Sequence, residues 1–311
     1  MPNGLLTLLD IAQRSGNDAI VGIIGEVVTS APEFSVVPAQ TRPGTSYKVS
    51  RRTALPPFAF RDANSGVNPG KSAWVQDLKP MYFIDAQLEV DEAIVKGDPG
   101  EAGNLLADEA SGALESITIG LGTQFYYGQD AQAKGFAGLQ TQIADNGEVN
   151  ANGGANSTSA YLVDLSRQGV NFVVGNQGEI ALPPWHKQQI TKPDGTKLMA
   201  FVSNISSYIG LQVGSEFSVY RVKGIKATAT VNYLTDATAA ALVAKIPIKR
   251  RGNLRWFMNR TALLTLQLSR SAIGQVGGGN NGAPAFAETP TTLAGYPITL
   301  TDSLVDTENN A

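Results

Sequence analysis

One stretch constrains the fold more than any other. Asp98-Pro99-Gly100-Glu101 reads as a helix start, with Asp at the cap, Pro at the first helical position and Glu three residues after the cap. Apolar residues then recur every three or four positions at Leu106, Ala110, Leu114, Ile117, Leu121 and Phe125, while Asp108, Glu109 and Glu115 take the opposite side. The pattern predicts one helix from about Pro99 to about Phe125, roughly 40 Å long at about 1.5 Å per residue, with Leu106, Leu114, Ile117 and Leu121 buried. A fold for this chain must house a rod of that length among segments that are mostly extended.

Before the rod, FSVVPAQ and YKVSRRTALPPFAF are rich in β-formers, and Pro56-Pro57 forbids a helix. ANSGVNPGKS is a turn-rich tip, and YFIDAQLEV alternates like a half-buried strand. Together these predict a long β-hairpin running out from about residue 35 and back by about residue 90. Ahead of it, residues 1–30 read as two short amphipathic helices, broken at Ser15-Gly16-Asn17 and stopped by Pro32. After the rod, turn pairs such as Asn146-Gly147 and Asp194-Gly195 punctuate strands such as SAYLVDLS, LMAFVSNIS and FSVYRVKGIKATATV, which predict a mostly antiparallel second domain. Helices are expected at Asp236–Ile246 and Thr261–Ser271, and GYPITLTDSL is strand-like.

Composition removes whole classes of chemistry. The chain has 311 residues, no Cys and one His, so thiol nucleophiles, disulfides and cysteine ligand sets are excluded and most triads and metal sites go with them. His186 lies in Leu-Pro-Pro-Trp-His-Lys and reads as a packing or surface residue. Gly277, Gly279 and Gly282 satisfy G-x-G-x-x-G, but Ala283-Pro284 follows where a helix must open. The run from Gly66 to Ser72 has three residues between its glycines where a phosphate loop needs four. No cofactor and no metal are expected. The N-terminal MPNGLLTLLD lacks the basic region of a signal peptide and no window is apolar enough to span a bilayer, so a soluble, cytoplasmically made chain is expected.

Charge is scarce, 16% of residues against a usual ~25%, and glycine is abundant, which suits a surface covered by other chains. It is also segregated. Arg42, Lys48, Arg51, Arg52 and Arg61 lie between residues 34 and 61 with no acid, whereas residues 85–115 hold nine acids against Lys96. A third block, Lys245, Lys249, Arg250, Arg251, Arg255, Arg260 and Arg270, again contains no acid. The expectation is that a basic hairpin (Arg42, Lys48, Arg51, Arg52) meets an acidic helix face (Asp108, Glu109, Glu115) on the next copy of the chain. Lys245, Lys249, Arg250 and Arg251 are candidates for an inner surface facing DNA.

The order of parts resembles a known plan. Ile119-Gly120 through Phe125-Tyr126-Tyr127-Gly128, followed by Phe136-Ala137-Gly138-Leu139, resembles the end of the spine helix and the F-x-G-L after it in major capsid proteins of tailed bacteriophages, the Hong Kong 97 fold. Ser159-Ala160-Tyr161-Leu162-Val163, Leu211-Gln212-Val213 and Tyr220 to Ile225 resemble the apical domain of the podophage-type branch. Trp256-Phe257-Met258-Asn259-Arg260 resembles its W-x-M-N-R helix start, and Gly295-Tyr296-Pro297-Ile298 with Thr301-Asp302 its returning strand. The stretch GNQGEIALPP departs from the pattern.

The resemblance implies an α+β fold: an N-terminal arm (1–34), an extended hairpin or E-loop (35–84), a peripheral domain with the spine helix (85–135), a mixed apical domain (136–283) and a return strand (284–311). It implies a non-enzymatic subunit that self-assembles as hexamers and pentamers into an icosahedral shell around double-stranded DNA, bound without sequence specificity. Scaffolding, portal and decoration proteins are the implied partners, with no membrane. Two alternatives stay open: an encapsulin-type nanocompartment shell, and a soluble hydrolase or binding protein.

Overall fold

The computed structural model describes residues 31–97, 102–175, 183–228, 230–276 and 287–309. The helix pair expected in 1–30, the Asp98–Glu101 helix start and the glycine run 277–282 lie outside these residues. Five helices are described: α1 (Glu33–Val36), α2 (Glu92–Gly97), α3 (Ala102–Tyr127), α4 (Asp236–Ala244) and α5 (Arg260–Val276). The expected rod is thus a single 26-residue helix, α3. Where the sequence reading has FSVV extended, Pro32 instead opens the single turn α1, and the Ser35 hydroxyl donates back to the Pro32 carbonyl.

Strands β1 (Ala39–Thr41), β4 (Tyr82–Asp91), β7 (Val170–Val174), β8 (His186–Thr191) and β9 (Lys197–Val213) form one sheet, ordered β1-β7-β9-β4 with β8 also on β9. A seven-stranded sheet is ordered β12-β13-β11-β6-β10-β5, with β14 on β6. Its strands are β5 (Glu148–Asn150), β6 (Ala155–Asp164), β10 (Val219–Ile225), β11 (Leu254–Met258), β12 (Thr292–Leu293), β13 (Tyr296–Leu300) and β14 (Glu308–Asn309). The expected mostly antiparallel region is in fact mixed, because β5 joins β10 and β13 joins β11 in parallel. The third sheet is a two-stranded arm, β2 (Ser46–Ala54) with β3 (Ala73–Pro80).

β6 shows why the seven-stranded sheet lies at the centre. Residues 157–164 are all buried, so this strand cannot have a wet face. Alternation sends Ala160 and Leu162 into a core with Trp256, Met258, Leu242 and Leu266, and Tyr161 and Val163 into a second core with Phe125, Tyr126, Phe172 and Phe257. α4 and α5 cover the first core. The C-terminal end of α3 and the five-stranded sheet cover the second.

α3 is buried only at that end. Leu106, Ile117 and Leu121 are half-buried and Leu114 is 40% exposed, where the periodicity predicts all four buried. The apolar stripe is real, but the strands of the subunit pack chiefly beneath its last turns. The helix stops at Gly128, whose φ of +59° suits glycine and whose Cβ, if present, would lie 2.0 Å from the Gly138 nitrogen. The two glycines of the Tyr-Tyr-Gly and Phe-x-Gly-Leu segments therefore lie against each other.

Candidate assembly surface

The arm begins inside the body. Tyr47 and Val49, on the inward face of β2, are buried with Met81 and Val173. The Tyr47 hydroxyl donates to the Leu211 carbonyl at 2.9 Å, and burial pushes this phenol up to about 12. The paired arm is shorter than the excursion read from sequence. Ala39–Thr41 and the alternating Tyr82–Asp91 belong to the five-stranded sheet, because β4 finds a ten-residue partner in β9.

Beyond Val49 the arm is exposed, although its chemistry is apolar. Phe58 is 86% exposed and Phe60 97%, and Leu55, Trp74, Val75 and Leu78 are also exposed. Scattered surface apolar residues are ordinary, but a run on one two-stranded projection is not. A two-stranded hairpin is marginal in water by itself.

The sequence-predicted site residues fall into three situations. Lys48 and Arg52 lie on the outward face of β2, with Arg52 4.4 Å over the Trp74 ring. Arg42 is exposed at the end of β1 and donates to Gln40 Oε1. Arg51 corrects the expectation that these cations lack an acid within the chain. It faces inward, 2.5 Å from Asp77 and 3.6 Å from Glu216. Asp77 opposes Val49, a diagonal neighbour of Arg51 across the hairpin that linear spacing hides. On α3, Asp108 and Glu115 are exposed and Glu109 is half-buried.

The third basic block is also served within the chain. Lys245 donates to the Glu148 carbonyl and Arg251 to the Ile246 carbonyl. Arg260 pairs with Asp302 and Arg270 with Asp236. Lys249 and Arg250 remain beside Arg167 at an open cleft of about 380 Å³, with Arg250 3.9 Å from the buried Asp164.

Sequence reasoning missed two buried acids. Glu308 accepts from Tyr127, Ser159 and Arg221. The Tyr127 phenol is pushed far up by burial and then by Glu308. Glu33 accepts from Tyr126 and Thr301. The partners stand 87 to 268 residues apart for Arg221–Glu308 and Thr301–Glu33, so no local motif marks them. The one cue is Arg221 itself, a cation inside the apolar run VYRVKGI. Among the described residues no cluster of three or more His, Asp or Glu could hold a metal ion, and no helix is long and apolar enough to cross a membrane.

The fold is that of phage capsid subunits. The structure is similar to the capsid of bacteriophage Epsilon15, with a TM-score of 0.72 over 99% of this chain and 98% of that one at 17% identity. It is similar to the bacteriophage JBD30 capsid at a TM-score of 0.51, covering 96% of this chain and 99% of that one at 10% identity. The SrpI encapsulin of Synechococcus elongatus PCC 7942 also gives a TM-score of 0.51 and 10% identity, covering 72% of this chain and 98% of that one. A search of curated protein sequences finds no match. At the level of family, the model described as major capsid protein GP7 matches residues 24–311. An arm with no core of its own, a rod half covered and a centre sealed on both faces are what a shell subunit needs, and this chain belongs to the major capsid protein GP7 family.

Proposed function

We propose that this capsid subunit assembles as hexamers and pentamers of an icosahedral shell enclosing the double-stranded DNA of a tailed phage, made in the cytoplasm of a bacterial host, and that it does so without catalysing a reaction. The exposed apolar arm supports this most directly. Phe58 and Phe60 have no core in their own subunit. Laying the 46–80 hairpin over a neighbouring copy would bury them at about 25 cal/mol per Å² of apolar surface, repeated at every contact of the shell. Scaffolding, portal and decoration proteins are the partners such a shell would recruit.

The charge contact takes a sharper form than in the sequence reading. Lys48 and Arg52 point away from the body, and Asp108, Glu109 and Glu115 of a neighbour's long helix are their candidate partners, with Arg42 at the base of the arm. Arg51 is engaged by Asp77 and serves mainly to stiffen the arm. Exposed pairs contribute only about 0–1 kcal/mol each, so they set register more than strength. Around the open cleft, Lys249 and Arg250, with Lys245 and Arg251 close by in the chain, are candidates to face DNA.

The test is expression followed by electron microscopy and assay of nuclease-protected nucleic acid. Wild-type protein should form closed shells. Phe58→Ser with Phe60→Ser should leave folded, unassembled subunits, and normal shells from that variant would refute the role of the arm. Lys48→Glu with Arg52→Glu should lower shell yield, and adding Asp108→Lys and Glu115→Lys should restore it. Shells that protect no DNA in an infected host and fill with a protein cargo would instead identify a nanocompartment.

A further inference from the structure

Glu33 is fully buried at the point where the chain reaches the body from its N-terminal segment. Its two carboxyl oxygens are treated differently. Oε1 accepts hydroxyl hydrogens from Tyr126 of α3, at 2.8 Å, and from Thr301, just after β13. Oε2 is buried with no donor, and so is Ser303 Oγ, a side chain that also faces Glu33. An ionised carboxylate needs donors on both oxygens. A neutral acid needs acceptors at one oxygen's lone pairs and a partner for its own hydrogen at the other. A proton on Oε2 directed at Ser303 satisfies both orphaned atoms together.

The surroundings hold no countercharge for an anion. From α3 come Tyr126 and, one residue on, Tyr127, which is turned to Glu308. From the segment after β13 come Thr301 and Ser303, while Asp302 between them pairs with Arg260. From β6, Tyr161 packs on the Tyr126 ring at 5.3 Å. Arg221 lies over the far-reaching Tyr161 ring at 5.6 Å and is engaged by Glu308. Water has no easy way in. A Cβ on Gly122 would already sit 2.3 Å from Ser303 Oγ and 2.9 Å from the Ala31 side chain. Glu308 is the contrast: equally buried, but bound to a guanidinium at 2.8 Å.

We propose that Glu33 is a proton-loaded latch: the subunit docks α1 on the long helix with this carboxyl neutral, and ionisation of Glu33 loosens the junction where the N-terminal segment joins the body. Burial pushes this carboxyl up, against the smaller pull of the Thr301 and Tyr126 hydroxyls, in agreement with the geometry. The folded state then holds a proton that the unfolded chain releases near the ordinary glutamate value of about 4.3. Stability contributed by the latch is complete below that value, falls as pH rises through the raised folded value, and is constant above it.

The experiment uses the whole chain as unassembled subunits. At about pH 7, where an ordinary glutamate is ionised, infrared spectra should show a protonated-carboxyl band that Glu33→Gln lacks and Tyr126→Phe shifts. Chymotrypsin reports the junction at Phe34, which stacks on Phe172 at 4.8 Å, while the exposed Phe58 and Phe60 provide an internal standard in the same digest. Between about pH 6 and about pH 9, cleavage after Phe34 relative to that standard should rise by about tenfold, the change that one unit of coupled proton release produces. Glu33→Gln, neutral at every pH, should stay flat. A band absent from wild type, or an equal rise in Glu33→Gln, overturns the latch. Should Glu33→Gln fail to fold, the wild-type band and its shift in Tyr126→Phe decide the matter alone.

Discussion

β6 and the β2–β3 arm are both strands with apolar side chains, yet their surroundings are opposites. From Ser157 to Asp164 β6 is buried on both faces, while the arm is buried only at Tyr47 and Val49. The difference is not in the strands' own propensities. β6 has hydrogen-bonded neighbours on both sides and a packed core on each face, whereas the arm has one partner strand and a core only at its root. The long helix repeats the contrast within one element, with Phe125 and Tyr126 sealed and Leu114 open. A capsid subunit thus divides into a part that folds by itself and a part whose apolar surface is completed by another copy. Substitutions should sort accordingly, into those that unfold the subunit and those that only stop assembly.

The strongest way to break that division is from the sealed side. Trp256 is fully buried and its indole N–H donates to the Leu293 carbonyl at 3.0 Å. Trp256→Ala should cost the subunit about 3–5 kcal/mol for the cavity and about 1–3 more for the orphaned carbonyl. Denaturant melts of unassembled protein would read this as a lowered midpoint with no soluble shell. Next is Arg221→Leu, which strands Glu308 in the core and should cost about 3–5 kcal/mol. Adding Glu308→Gln should recover a large part of that loss, since the buried charge goes with it. Gly128→Ala follows, at about 1–3 kcal/mol for the left-handed backbone alone. A Cβ there also meets the Gly138 backbone, so the melt should fall further than the backbone term predicts.

What could be read in advance divides along the same line. The long helix was legible because Leu106, Ala110, Leu114, Ile117, Leu121 and Phe125 recur at helical spacing, and a repeating pattern survives without knowledge of neighbours. Which of those residues are buried was not legible, because periodicity identifies a face but not what covers it. The β4 strand was visible in its alternation, while its membership of the body sheet rests on β9, more than a hundred residues later. Arg51 seemed unpaired for a similar reason: Asp77 is close only once the hairpin folds. Of the site, the projecting arm and its basic character were readable. The two acids that tie both chain ends to Tyr126 and Tyr127 were not, since their partners meet only in the finished fold.

The smallest effect is the most discriminating. Leu114 is 40% exposed in the subunit, and the stripe it belongs to is half-covered. Leu114→Ala therefore removes little buried surface from the isolated subunit, and alanine is the better helix former by a few tenths of a kcal/mol. The change in subunit stability should stay within about ±0.5 kcal/mol, the range of ordinary surface positions, instead of the about 2–5 kcal/mol that a packed leucine would lose. Burial by a neighbour would alter the assembled state alone. Dissociating shells in denaturant should then show Leu114→Ala coming apart at lower concentration than wild type, while the subunit melt is unmoved. A subunit melt lowered by several kcal/mol would mean that Leu114 is already packed within its own chain. Unchanged shells would mean that the exposed half of the helix faces solvent in the capsid, and that the arm alone carries the unfinished surface.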